Sequence, residues 1–336
     1  MRVLVTGWFS FLHGEATAGD LLALDAVRAA LGAAGISHDT AWSPVFRPGG
    51  LRIEDAAPAR YTHLVFVCGP LHGEPVAALH ARYAAARRIA VGVSVIDPAS
   101  AAHAGFHLVL ARDGGPGPPH RDLAVAAPQF RAAAGPAPRP QEPAAGPPVP
   151  VTGVILATGQ GEYGERRRHA LVTAQLTRWL AAVPSAPLEL DTRLDTRDWR
   201  LCSTAGAFTV LVSRVDMVVT TRLHGLVLAL GRGIPVLAVD PVAGTGKVTA
   251  QARAWNWPVI VPAEGAADSR LLDRLRDWCL SARGRAAAAS AAAAAEAAGR
   301  SQPELIAALL SDLRRTVPQP GPARPPRCGP AGAPSA

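Results

Sequence analysis

Arg222 and His224 stand two residues apart in VVTTRLHGLVLAL (218–230), where a β-branched run gives way at once to helical apolar spacing. Such a junction points backbone N–H groups and the positive end of a helix dipole at whatever lies above the strand tip. Arg222 adds a planar fork suited to carboxylate or phosphate. His224 adds a group that gives or takes a proton near neutral pH, and it is the only histidine beyond residue 170. An arginine capping a neighbouring helix and a histidine satisfied in the core are the plain alternatives. Thr221 and Leu223, which flank Arg222, fall at the carboxyl end of a strand, where open α/β sheets bind ligands.

The next strand, in VLAVDPVAGTGKV (236–248), leads to Lys247, the only lysine in 336 residues, just after Gly246. A coding bias toward arginine would keep a lysine where the two are not interchangeable. An ammonium is a compact point charge that titrates when desolvated. Chance placement is the competing reading, and the glycine loop at a strand end weighs against it. GTGKV is not a P-loop, because Pro241 stands where its first glycine would be and Val248 replaces the Ser or Thr. GQGEYG (159–164) follows a strand and offers a phosphate-facing turn, or simply a connecting loop. The triplet LHG occurs at 12–14, 71–73 and 223–225, the first two followed by Glu15 and Glu74. Chance repetition explains this as well as a gathering of acid–base groups does.

No HExxH, GxSxG or CxxC spacing occurs, so neither a metal nor a cofactor is expected. Cys68, Cys202, Cys279 and Cys328 lie far apart, which fits reduced thiols and a cytoplasmic location. Residues 1–150 hold 12 arginines and 11 acids, whereas 151–336 hold 22 cations and 15 acids. The second half therefore suits an anionic ligand. Acids are interspersed among the cations and no basic run is laced with aromatics, which speaks against nucleic acid. No apolar stretch of about 20 residues is present to span a membrane, which leaves peripheral membrane association open.

Buried-strand runs at 2–6, 62–67, 88–95 and 106–110 alternate with helical spacing at 20–35 and 74–88. Asp20 reads as the cap of the first helix and Gly35 as its stop. A second alternation has strands at 151–157, 216–221 and 234–240, with helices at 166–183, 223–233, 270–282 and 285–298. Continuous apolar strands between helices indicate parallel sheets covered on both faces. The expected fold class is α/β, with two Rossmann-like parallel-sheet domains facing a cleft. The division is residues 1–131, a Pro/Ala-rich linker at 132–150, residues 151–316, and a low-complexity tail at 317–336.

The stretch VDMVVTTRLHGLVLALGRGIPVLAVDP, continued by GKV, resembles the signature of the polysaccharide pyruvyl transferase family. AGDLLALDAV (18–27), VFVCGP (65–70), GVSVIDP (92–98) and LVLARD (108–113) look like strand ends and loops of that family's first domain. The resemblance implies a glycosyltransferase-B-like fold and transfer of pyruvate from phosphoenolpyruvate to a saccharide as a cyclic ketal. It implies that His224 is the acid, that Arg222 and Lys247 stabilise the departing phosphate, and that Arg112 closes on the donor from the first domain. Thr221, Leu223, Gly246 and Asp20 would complete the substrate site. The partners would then be phosphoenolpyruvate and a nucleotide-linked, lipid-linked or polymeric sugar acceptor. After LVLARD the chain runs into GGPGPP, and Ala127 stands where the family has an aspartate. Two rival readings are a nucleotide-sugar glycosyltransferase or epimerase of the same fold, and a non-catalytic anion- or sugar-binding relative.

Overall fold

Two five-stranded sheets, each built only of parallel pairs, carry the molecule. The computed structural model describes residues 1–12, 16–132, 149–299 and 302–315. Most of the expected linker and the whole expected tail lie outside the described residues, as does His13–Gly14–Glu15.

The first sheet contains β1 (Val3–Thr6), β2 (His38–Thr40), β3 (His63–Val67), β4 (Arg87–Ser94) and β5 (Leu108–Asp113), in the order 2-1-3-4-5. The second contains β6 (Val151–Ile155), β7 (Ala186–Glu189), β8 (Met217–Thr220), β9 (Val236–Asp240) and β10 (Ile260–Pro262), in the order 7-6-8-9-10. The two orders are the same arrangement used twice. In each, the chain reverses its direction of winding between the first strand and the third. The tips of β1 and β3, and of β6 and β8, are therefore the places where a crevice opens. The two-domain α/β expectation holds.

Strands β1, β3, β6, β8 and β9 match their continuous apolar runs, with β1, β3, β8 and β9 buried throughout. Edge strands β2, β7 and β10 carry no such signal, because each is three or four residues long and packs on fewer sides. The first helix, α1 (Ala18–Ala33), begins one turn earlier than its apolar spacing suggests. Thr17 is its cap, and Asp20 is the reciprocal partner of a capping box rather than the cap itself. The other α-helices of the described residues are α2 (Glu74–Arg82), α3 (Ala101–Ala104), α4 (Pro128–Ala132), α5 (His169–Ala182), α6 (Ala205–Val212), α7 (Leu223–Leu230), α8 (Lys247–Ala254), α9 (Ser269–Leu280), α10 (Ala282–Gly299) and α11 (Glu304–Arg315).

One apolar cluster runs through both domains, joining Leu22 and Val27 of α1, Leu123 and Phe130 of the crossover, Leu226 and Leu230 of α7, and Leu309 of α11. A second cluster, around Leu64, Phe66, Leu79 and Tyr83, fills the other face of the first sheet. Residues 304–315, placed with the second domain by chain position, instead pack α11 against β4, β5 and α1. Arg87 on β4 secures that helix with two hydrogen bonds to Asp312, both 2.8 Å.

Candidate functional site

A cavity of about 290 Å³ lies where the two reversal points face each other. The first domain contributes Trp8 after β1 and Gly69 and Pro70 after β3. The second contributes Ala157 and the 159–162 turn after β6, and Arg222, Leu223 and His224 after β8. Thr17, Asp20, His72, Arg112, Thr192 and Lys247 complete the wall.

Arg222 occupies the cap position of α7, and its side chain is 12% exposed. Its Nη2 lies 3.6 Å from Asp191 Oδ1, and Asp191 in turn accepts from Arg193 Nε at 2.8 Å. Lys247 is the first residue of α8 rather than a loop residue. Its Nζ lies 3.3 Å from Glu162 Oε1 and 5.7 Å from the centre of the Tyr163 ring. The lone lysine and Arg222 thus share one hollow, each held by a carboxylate.

The backbone around them explains this placement. Thr221 Oγ accepts from Ala157 N–H at 2.7 Å, and Thr220 Oγ donates to Ile155 O at 2.8 Å, which ties the tips of β6 and β8 together. The Thr221 side chain is therefore buried in the scaffold and does not line the cavity. Gly246 does not line it either. Its N–H donates to Asp240 Oδ2 at 2.9 Å, and the same oxygen accepts from Thr249 N and Oγ1 at 2.9 and 2.6 Å. The start of α8 is already occupied by Asp240, whereas α7 has no side-chain cap.

His224 is gripped across the domain boundary. Its Nδ1 lies 2.9 Å from Thr17 Oγ1, and Thr17 Oγ1 donates to Asp20 Oδ2 at 2.7 Å. Its Nε2 lies 3.5 Å from Asp122 Oδ2 and 3.8 Å from Cys68 Sγ. Gly19 lies against the imidazole, and a β-carbon there would collide with the ring. Asp20 lines the cavity yet is only 6% exposed.

Arg112 reaches the cavity wall, but its guanidinium is committed elsewhere. It donates to Asp113 at 2.9 Å, to Ser94 Oγ at 2.5 Å and to Asp122, with Cys68 Sγ 3.6 Å away. At 2% exposure it has no free face for a ligand, so its position fits holding Asp122 better than closing on a donor. Burial alone would raise Asp122. The Arg112 charge and the His224 contact outweigh it and hold that carboxyl well below the usual carboxylate range. Burial, reinforced by Asp20 and Asp122, pushes the Cys68 thiol well above its ordinary value.

The sequence reading did not single out Thr17, Cys68, Asp122, Glu162 or Asp191 as site residues. The capping pattern T-x-x-D at 17–20 was a usable signal for Thr17. The others meet only through the fold.

No family model matches the chain, and no curated protein matches it. Among solved structures, spinosyn rhamnosyltransferase SpnG complexed with thymidine diphosphate has a TM-score of 0.50 at 14% identity, over 94% of this chain and 100% of its own. UDP-GlcNAc 2-epimerase from Methanocaldococcus jannaschii, in complex with UDP-GlcNAc and UDP, has a TM-score of 0.52 at 9% identity, over 84% of this chain and 93% of its own. At these identities the likeness shows the fold, a glycosyltransferase-B arrangement of two Rossmann-like domains.

These neighbours are glycosyltransferases and epimerases, not pyruvyl transferases, and they overturn the resemblance drawn from the 215–248 stretch. Phosphoenolpyruvate goes with it as a partner. The physical reason is that Arg-Leu-His after β8 marks a strand-to-helix junction at the carboxyl end of the sheet's central strand. That geometry serves any phosphate-bearing ligand and does not select one donor. No helix among the described residues is long and apolar enough to cross a membrane.

Proposed function

We propose that the cleft binds a nucleoside-diphosphate sugar and transfers its sugar to an acceptor hydroxyl. The observation that carries this reading is the pairing of two reversal points across one cavity, with cations gathered on the second-domain wall. Arg222 and the uncapped start of α7 are placed to take the diphosphate. Lys247 reaches the same phosphates by exchanging its contact with Glu162 for a contact with the ligand. The fold likeness to proteins whose structures hold thymidine diphosphate, UDP-GlcNAc and UDP supports the same choice.

The acceptor oxygen attacks the anomeric carbon, and the bond from that carbon to the β-phosphate oxygen breaks. The electron pair leaves on the diphosphate, where Arg222, Lys247 and the α7 dipole stabilise it. The acceptor's proton passes to the polar cluster around His224 on the cavity floor. Trp8, held by its Nε1 to Pro70 O at 2.9 Å, and His72 form the acceptor side.

Calorimetric titration with UDP, dTDP and inorganic phosphate tests the reading. Micromolar binding of a nucleoside diphosphate, weakened in Arg222→Ala, is expected. Binding of phosphate alone, or of no nucleotide, would sink it. An epimerase of the same fold would bind the same ligand but rearrange it without an acceptor, which product analysis separates.

A further inference from the structure

Three side chains that no stretch of sequence groups together converge beneath the cavity: Asp20 at the start of α1, Cys68 at the tip of β3 and His224 at the start of α7. One ligand atom from each lies within 4.8 Å of the other two. The hydrogen bonds around them fix the imidazole tautomer. Thr17 Oγ1 has one hydrogen and gives it to Asp20 Oδ2 at 2.7 Å. Its 2.9 Å contact with His224 Nδ1 must therefore be one it accepts, so Nδ1 carries the proton. In the neutral ring, Nε2 then turns a lone pair toward Cys68 Sγ at 3.8 Å and Asp122 Oδ2 at 3.5 Å. Arg112 neutralises Asp122 from the scaffold side, and the imidazole lone pair, the sulfur and the Asp20 carboxylate are left facing one another, an arrangement that a cation bound among them would stabilise.

We propose that Asp20, Cys68 and His224 form a binding site for a thiophilic divalent cation, Zn²⁺ foremost, with a fourth position open to the cavity. The surroundings match what such a site needs. A ligating histidine characteristically donates its other N–H to a fixed acceptor, and Thr17, itself fixed by Asp20, is that acceptor. Arg112 Nη1 donates toward Cys68 Sγ at 3.6 Å, as an outer group does toward a metal-bound thiolate. Cys68 holds φ 62°, a left-handed backbone uncommon for a residue with a side chain and characteristic of functional sites. Asp20 and His224 both line the cavity, so the remaining coordination position faces it. Three protein ligands with one open position is the arrangement of reactive zinc sites.

Binding replaces the thiol proton: Zn²⁺ and Cys–SH give a zinc thiolate and a released H⁺, so affinity falls on acidification. A sulfur ligand selects Zn²⁺ or Co²⁺ over Mg²⁺ or Ca²⁺. Two ligands come from the first domain and one from the second, so the ion also staples the domains. If the sugar-transfer reading holds, an acceptor hydroxyl at the open position would be acidified by the metal, with His224 a ligand rather than a base. Metal binding itself does not depend on that reading.

The test uses the full chain stripped with a chelator and titrated with Co²⁺. A saturable thiolate-to-cobalt charge-transfer band at one equivalent is expected, displaced by Zn²⁺. Cys68→Ser should remove the band, and His224→Gln should weaken Co²⁺ binding at least about tenfold, both with unchanged circular dichroism. Zn²⁺ should raise the Tm of the natural protein and not that of Cys68→Ser. If Cys68→Ser does not fold, the His224→Gln titration decides. Absence of a saturable band, or a band that survives removal of Cys68, overturns the proposal and leaves a proton on Nε2 as the bridging charge. Failure of UDP and dTDP to bind would sink the sugar-transfer reading while leaving the cobalt result intact.

Discussion

At the scale of single residues, the cavity wall holds both side chains that line the hollow and side chains whose polar atoms are spent on the scaffold. Arg222 lines the hollow beside Asp191, so Arg222→Ala should weaken nucleoside-diphosphate binding about 10- to 100-fold, the usual effect of losing charge-assisted hydrogen bonds. Titration calorimetry reads this directly. Lys247 sits between Glu162 and the Tyr163 ring, in a space shaped for a slender ammonium. Lys247→Arg keeps the charge but changes the shape and the hydrogen-bond directions. Turnover should fall about tenfold or more while Tm stays within a few degrees. Unchanged turnover would show that the lone lysine has no special role. Gly19→Ala drives a methyl into the His224 ring and should cost about 1–3 kcal/mol of stability in a denaturant titration.

At the scale of elements, the start of α1 does two things at once. Thr17 caps the helix and receives His224 from the other domain. Thr17→Val should cost about 1 kcal/mol for the lost cap. It should also shift the pH profile of activity, which the removal of a merely structural cap would not do. The α5 start supplies a pH effect of its own. Burial, and next the Lys247 charge, push His169 down to about 4. Its folded-state value lies below the ordinary 6.5, so its neutral form is the stabilising one. The contribution is fully present above pH 6.5 and is lost as pH falls toward 4. His169→Gln should flatten that part of the stability curve. Asp122, also depressed, contributes stability that is fully present above the ordinary carboxylate range and is lost as pH falls below it.

At the scale of the whole molecule, the domains are joined by more than the chain connecting them. The second-domain strand-to-helix loop docks on α1, with Ala18 N–H donating to Thr192 O at 2.7 Å and Leu194 N–H to Ala16 O at 2.9 Å. Gln251 on α8 accepts from Asp122 N–H at 3.1 Å and donates to His120 O at 2.8 Å. Helix α11 returns to the first sheet through Arg87 and Asp312. Arg87→Ala removes a bidentate partner from a mostly buried carboxylate and should cost about 1–3 kcal/mol. Global unfolding should respond, because the apolar cluster under α11 spans both domains. A midpoint that does not move in a denaturant titration would show that α11 is only loosely attached.

The amino-acid order by itself determined the alternation of buried strands and helices. Runs such as LVFV and VLAV, apolar on every side, have no stable place except inside a covered parallel sheet. It also determined that Arg222, His224 and Lys247 fall at strand tips of one domain, because β8 and β9 end just before them. It did not determine the short edge strands, whose partial burial leaves no periodic signal, nor the return of α11 to the first domain. Only the tertiary structure decided that Asp20, Cys68, Asp122 and His224 share one buried point, since contact between residues 20 and 224 depends on how two sheets are set against each other. It also decided which polar groups stay available. A guanidinium reads the same in sequence whether it meets solvent, as a ligand-binding group must, or three buried partners, as Arg112 does.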